Sequence, residues 1–321
     1  MAAILKSHEF LLQRFSNRDT LVQALEARTR GLEPPPSFLG AGADKRVLVV
    51  GFDPFFVRPG KEGNNSHQSN PSGVAALFLH GNAAAVPGMF IQSVVLPVRF
   101  DDFDAGVVDT LVDAYLQGPN QAHMILSVSQ DIDLSFHVDR FCTRFRAQNI
   151  PDNLNVMGQA AVHYELNAAQ TQIQPMAATA NLPRFLETTL PVARMVPGSV
   201  MPVAPTGTQV AKSVLFDQKF TLAGAIAPLG VENNQATFSA VVPPPNTEVE
   251  SGSGGNYLSN ELFYRVAWRR TQRNTTLKTG HLHVPKLQSD AEGPNPLFDA
   301  LRVQYYLDTI IQVLKDALLD L

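Results

Sequence analysis

The run Lys45-Arg46-Val47-Leu48-Val49-Val50-Gly51 constrains the fold of this chain more than any other segment. A short, uninterrupted apolar stretch rich in β-branched residues and closed by Gly suits a strand buried on both faces, as inside a parallel sheet. Helix and strand signals then alternate. Asn70-Pro71-Ser72 offers a helix start, followed by the stripe Val74, Ala75, Leu77 and Phe78. Residues 91–97 and 123–128 read as further strands, with an amphipathic helix over 107–116 between them. The expected architecture is therefore α/β: a three-layer α/β/α sandwich around a mostly parallel central sheet.

Residues 8–32 carry apolar positions at helical spacing, and Pro34-Pro35-Pro36 interrupts them. Residues 1–44 read as a helical N-terminal extension and linker, and 45–321 as the α/β domain. Within about 154–250 the chain turns to Ala, Pro, Thr, Gln and Asn with little charge, an atypical long insertion. There, 220–226 and 236–242 alternate enough for a hairpin. Thr247 to Glu250 reads as another core strand, and Ser251-Gly252-Ser253-Gly254-Gly255 as a turn. A helix over 259–270, a strand over 280–284 and a closing helix over 295–319 complete the chain. The last has a clear apolar stripe of Leu301, Tyr305, Leu307, Ile311, Leu314 and Leu318.

Composition narrows the function. With 321 residues, 45% of them hydrophobic, the chain can bury one substantial core. A net charge of −4 without a long basic run argues against nucleic acid as a partner. The densest basic stretch, Arg265 to Arg273, reads as a solvated helix end. No apolar run approaches the roughly 18 residues that a membrane span needs, so no membrane is expected. One cysteine, Cys142, excludes an internal disulfide framework and reads as a small buried hydrophobe. A cytoplasmic protein is expected. Charged residues make up only 17%, and with the apolar closing helix this favours a homo-oligomer.

Candidate chemistry sits at strand and helix ends. Gly51-Phe52-Asp53-Pro54-Phe55 follows the buried strand, where α/β folds bind ligands, and its two aromatics suit the walls of a small flat pocket or a plug atop the sheet. Ser259 lies at a turn into a helix. It is either an ordinary cap or a nucleophile whose oxyanion the helix N-terminus holds. His281 and His283 share one face of a strand. The pair is a weak metal signal, so neither a metal nor a cofactor is expected. Asp139, on a strand read over Val138 to Phe145, and Asp152, in Ile150-Pro151-Asp152-Asn153, are carboxylates that could orient a histidine base.

Taken in order, these motifs resemble the pyroglutamyl peptidase I (pyrrolidone-carboxylate peptidase) family. Val47 to Phe55 and Asn70-Pro71-Ser72 are similar to its opening strand, substrate loop and helix start. Leu96-Pro97-Val98 is similar to a strand end, and Asp139 through Asn153 to its glutamate-bearing strand and Ile-Pro-Asp-Asn loop. Thr189-Leu190-Pro191 matches a further segment. Gly255-Asn256-Tyr257-Leu258-Ser259-Asn260 sits on its nucleophile motif, and His281-Leu282-His283-Val284-Pro285 on its histidine motif. The resemblance implies Ser259 in the place of the family's cysteine nucleophile, His283 as base and acid, and Asp139 in the place of its orienting glutamate, with Asp152 a second candidate. It implies a lactam pocket lined by Phe52, Phe55, Val98 and Ile150, with Asn149 where the family has an arginine.

Two functions follow from the resemblance. One is a divergent hydrolase of the omega-peptidase type, acting on a peptide or small acyl-amide substrate and removing an N-terminal pyroglutamyl or similar group through an acyl-enzyme on Ser259. The other is a catalytically inactive scaffold that binds partners. A hydroxyl is much less acidic than a thiol, so Ser259 needs well-aligned base help that a cysteine site does not.

Overall fold

The computed structural model describes residues 18–42, 44–55, 69–82, 84–132, 134–146, 150–158, 183–195, 214–217, 221–222, 249–273, 276–287 and 300–318. Helix α1 covers Arg18–Thr29, strand β1 Lys45–Phe52, helix α2 Pro71–Leu79 and strand β2 Met89–Leu96. Helices α3 (Phe100–Asp104) and α4 (Val107–Leu116) lead to β3 (Met124–Gln130), β4 (Phe136–Asp139) and β5 (Phe141–Thr143). Then come β6 (Phe185–Glu187), α5 (Val192–Met195), β7 (Val214–Asp217), β8 (Thr221–Leu222) and β9 (Val249–Ser251). Helix α6 (Leu258–Arg273), β10 (Lys278–Val284) and α7 (Ala300–Leu318) close the chain.

The central sheet has the order β2-β1-β3-β10-β4-β7. Its first four strands run parallel, and β4 and β7, parallel to each other, run against them. Strand β1 is buried on both sides, as its composition requires. Val47 and Val49 face the layer of α2 and α7, while Leu48, Val50 and Phe52 face the layer of α3, α4 and α6. The expected three-layer sandwich with a mostly parallel sheet is what the chain forms.

Two strand expectations change. The strand read over Val138 to Phe145 breaks at Arg140, whose N–H donates to Asp217 O (2.9 Å). Beyond it, β5 leaves the central sheet and pairs antiparallel with β6. The strand read at Thr247 to Glu250 is not in the core sheet: β9 pairs with β8 in a separate two-stranded sheet. Local alternation marks a strand but not its neighbour, which is a long-range choice. Of the helix read over 8–32, Arg18–Thr29 is helical, and 8–17 lie outside the described residues, as do 223–248 of the insertion.

The extension is tied to the domain by specific contacts. Tyr115 Oη donates to Pro36 O (2.6 Å), and Phe38, 2% exposed, packs edge-on against Tyr115. Arg265 corrects the reading of a solvated basic helix end. It is fully buried, its Nε donating to Glu261 Oε1 (2.8 Å) and its guanidinium to Asp109 Oδ2 (2.7 Å). Among the described residues no helix is long and apolar enough to cross a membrane.

Candidate active site

Side chains alternate along buried strands, so polar residues two apart share a face. Three neighbouring strands do this on the α6 side: Ser127 and Ser129 on β3, His281 and His283 on β10, His137 and Asp139 on β4. Register places Ser127 beside His281, Ser129 beside His283, and His281 opposite Asp139. Asp217 on β7 lies beside Asp139. A polar row therefore crosses the sheet.

His283 and Asp139 meet directly. His283 Nδ1 lies 3.0 Å from Asp139 Oδ2 and 3.2 Å from Oδ1, with both side chains buried. Burial alone lowers the imidazole, but Asp139, through charge and hydrogen bond, with Asp131 and Asp217 behind it, raises it to about 9. Burial pushes the Asp139 carboxyl up and the imidazole pulls it back. One proton on Nδ1 serves both groups, which leaves Nε2 as the nitrogen available for chemistry.

His281 has a different task. Its Nδ1 and Nε2 lie 2.7 Å from Ser127 Oγ and Ser129 Oγ respectively, and its ring stacks on Phe263 of α6. Burial, and then the neighbouring His283, push its pKa well down, so it is neutral. Asp139, His281 and His283 bring one donor atom each within 4.8 Å of one another, a spacing a metal ion accepts. Both nitrogens of His281 are already held by serines, and His283 Nδ1 by Asp139. A cation would have to displace a serine to complete that set.

Ser259 occupies the first turn of α6, where backbone N–H groups lack intrahelical acceptors. The turn before it is shaped by Gly255 at φ +92° and pinned by Ser253 N–H donating to Phe141 O (2.9 Å). Asn260 locks the helix start onto β5, accepting from Thr143 N–H (2.8 Å) and donating to Thr143 O (2.9 Å) and Phe145 O (3.0 Å). Ser259 Oγ hydrogen-bonds to no described residue.

Ser259 borders a cavity together with Phe52, Phe55, Asn70, Val98, Ser129, Gln130, Tyr257 and Leu258. The β1 loop reaches it because its backbone passes very close to the start of α2. A Cβ on Gly51 would collide with Ser72 O, and one on Gly73 with Phe52 O. Asn70 caps α2, accepting from Ser72 N–H (3.0 Å) and donating to Asp53 O (2.8 Å). Phe52 stacks on Phe103, which lies under the Arg265 guanidinium.

Of the residues read from sequence, Ser259, Phe52, Phe55 and Val98 line this cavity, and Asp139 meets His283. Asp152 does not share that pair. Its carboxylate accepts from the backbone N–H groups of Phe100 (2.9 Å), Leu154 (2.8 Å) and Val156 (2.9 Å). Asn153 then ties two loops together, its N–H to Val98 O (3.0 Å) and its amide to Pro54 O (2.7 Å). Ile150 is half-buried and is not among the lining residues, and Asn149 lies outside the described residues. The serine pair around His281, and His137, Asp217 and Gln130, were not among the site residues read from sequence. A signal existed: Ser-x-Ser, His-x-Asp and His-x-His repeat one spacing on three strands.

Comparison with known proteins places the fold. A family model described as "PA0049, C-terminal domain" matches residues 46–179 and 163–288. The uncharacterized protein PA0049 of Pseudomonas aeruginosa is 24% identical over 294 residues, covering 76% of this chain and 53% of that protein. A pyrrolidone-carboxylate peptidase of Lactobacillus acidophilus is 34% identical over 82 residues, 26% of this chain and 38% of the relative. The chain thus spans about half of PA0049 and less of the peptidase. Among solved structures, pyroglutamyl peptidase I of Bacillus amyloliquefaciens superposes with a TM-score of 0.50 at 19% identity, covering 85% of this chain and 97% of that one. A mutant pyrrolidone carboxyl peptidase of Pyrococcus furiosus gives 0.52 at 18% identity, covering 86% and 99%. These likenesses establish the fold.

Proposed function

Because the chain belongs to the family of the PA0049 C-terminal domain and has the fold of pyroglutamyl peptidase I, we propose that it is a divergent amide hydrolase. It removes an N-terminal pyroglutamyl or similar small acyl group from a peptide, in the cytoplasm. The observation that carries this reading is the His283–Asp139 hydrogen bond within the polar row, with Ser259 at a helix start on a cavity walled by Phe52, Phe55 and Val98. In the reaction, Ser259 Oγ attacks the amide carbonyl while His283 Nε2 takes its proton. The imidazolium returns that proton to the leaving amine, and water hydrolyses the acyl-serine by the same route. Asp139 orients the ring, and the free N–H groups of the α6 start hold the oxyanion.

Hydrolysis of pyroglutamyl-aminomethylcoumarin tests the proposal. Activity in the wild type that Ser259→Ala abolishes supports it. A second reading, a catalytically silent binding protein, draws on one observation: His283, raised to about 9, holds its proton at neutral pH, and Ser259 Oγ is not bonded to it. Inert wild-type and Ser259→Cys proteins, with Ser259 unlabelled by a fluorophosphonate, would decide for that reading.

A further inference from the structure

Helix α1 lies outside the residues that the family model matches, which begin at 46. It nevertheless reaches the loops that wall the cavity. Its C-terminal end is anchored on the edge of the central sheet, where Val95 N–H of β2 donates to Arg30 O (3.0 Å). From that anchor the Arg30 side chain meets the β1 loop, Nε donating to Asp53 Oδ2 (3.2 Å) and Nη2 to the same oxygen. Glu26, one turn earlier on the same helix face, meets the β2 loop and accepts from Arg99 Nη1 (3.0 Å). Asp53 sits between the wall residues Phe52 and Phe55, and Arg99 follows the wall residue Val98. Neither anchored residue lines the cavity, so α1 grips both loops from outside it. All four charged side chains are between 12% and 24% exposed, so water and salt screen these pairs less than surface pairs.

We infer that Glu26 and Arg30 are positioning residues: helix α1 clamps the β1 and β2 loops and so holds the cavity walls Phe52, Phe55 and Val98 in place. A loop held only at its own ends opens locally at low free energy, and a charged anchor midway along it removes that freedom. Asn153 joins the two loops directly, through Val98 O and Pro54 O. The clamp adds what that brace lacks, a fixed point on the sheet edge. Glu26 Oε2 also lies 4.0 Å from Arg30 Nη1, which links the two grips in one charged row. A change at either residue is therefore felt at both loops. The inference goes beyond the proposed function and holds for a hydrolase and a binding protein alike, because both need those walls.

Amide hydrogen exchange of the whole chain tests the clamp separately from hydrolysis. The reporters are Asp53 N–H, which donates to Leu96 O (2.9 Å), and Asn153 N–H, which donates to Val98 O (3.0 Å). The control is the ladder between β10 and β3. Arg30→Met and Asp53→Asn should each speed exchange at both reporters at least about tenfold, the scale of a lost hydrogen bond to a charged group. The control should stay unchanged. The double variant should exchange no faster than the faster single one, as expected of partners in one interaction. Unchanged reporters, equal acceleration in β10, or additive effects in the double variant overturn the inference. Asp53→Asn decides alone if Arg30→Met does not fold. Where pyroglutamyl-aminomethylcoumarin is cleaved, both variants should raise KM and leave kcat, since Ser259, His283 and Asp139 are untouched. A fall in kcat at constant KM also overturns the clamp. An inert chain with this exchange pattern keeps the clamp and loses the hydrolase. An active chain without it keeps the hydrolase alone.

Discussion

Gly254 lies over the His283 imidazole so closely that a Cβ there would collide with His283 Cε1 and also with Asp139 Oδ2. The backbone of the turn before Ser259 thus forms the lid of the histidine–aspartate pair, and only glycine leaves room for it. Gly254→Ala should separate the pair, lowering hydrolysis at least about tenfold and stability by roughly 1–3 kcal/mol, the range for overpacking. At Gly255 the space is open but φ is +92°. Gly255→Ala should therefore cost about 1–2 kcal/mol of backbone strain. Imidazole NMR titration distinguishes the two: only Gly254→Ala should move the His283 titration.

Asp139 and Asp152 should separate cleanly. Asp139→Asn removes the largest of the charges that oppose burial and leaves Asp131 and Asp217, so His283 should titrate well below the wild-type value near 9. The sign for stability follows from the raised folded value. The stabilisation is complete below pH 6.5 and is lost as pH rises through about 9. Urea midpoints should accordingly fall across that window in the wild type more steeply than in Asp139→Asn. Asp152→Ala strands three backbone N–H groups and should cost roughly 2–4 kcal/mol while leaving the His283 titration in place. A His283 shift in Asp152→Ala as large as that in Asp139→Asn would refute the assignment.

The pH profile should report which nucleophile the site favours. Ser259 requires neutral His283, so kcat/KM should climb about tenfold per unit up to a pH near 9. An imidazolium instead supports a thiolate, so Ser259→Cys should exceed the wild type near pH 7. A flat wild-type profile between pH 7 and 9 would contradict this electrostatic account.

Glu261 is fully buried between two arginines, accepting from Arg146 Nε (2.7 Å) and Arg265 Nε (2.8 Å). Glu261→Gln leaves both guanidinium groups short of counter-charge and should destabilise the chain by roughly 3–5 kcal/mol in denaturant titration. Glu187, which pairs with Arg140 at 2.7 Å on the surface, is the contrast. Glu187→Gln should cost no more than about 1 kcal/mol.

Much of the fold was legible because it is written in local patterns. The doubly buried β1 shows itself in four consecutive apolar residues, the Asn70 cap in Asn-Pro-Ser, and α7 in its stripe. The end of β4 at Asp139 was not legible. Nothing in Val138 to Phe145 signals that Arg140 will bond to Asp217 and send the chain to β6. Arg265 was misread for the same reason, since the carboxylates that neutralise it include Asp109, 156 residues away in sequence.

The site divides along that line. Alternation within the sequence determined the α/β sandwich, and the family resemblance singled out Ser259, Phe52, Phe55 and Val98, which line one cavity. Tertiary structure decided which carboxylate serves His283. Asp139 reaches it across 144 residues through the antiparallel register of β4 and β10, and Asp152 is spent on three backbone donors. It also decided that Gln130, an ordinary strand-end residue by its neighbours, would face the cavity with an oxygen that no described residue pairs. Periodicity fixes which way a side chain points from its own strand, but pairing, burial and charge compensation depend on distant strands brought together by folding.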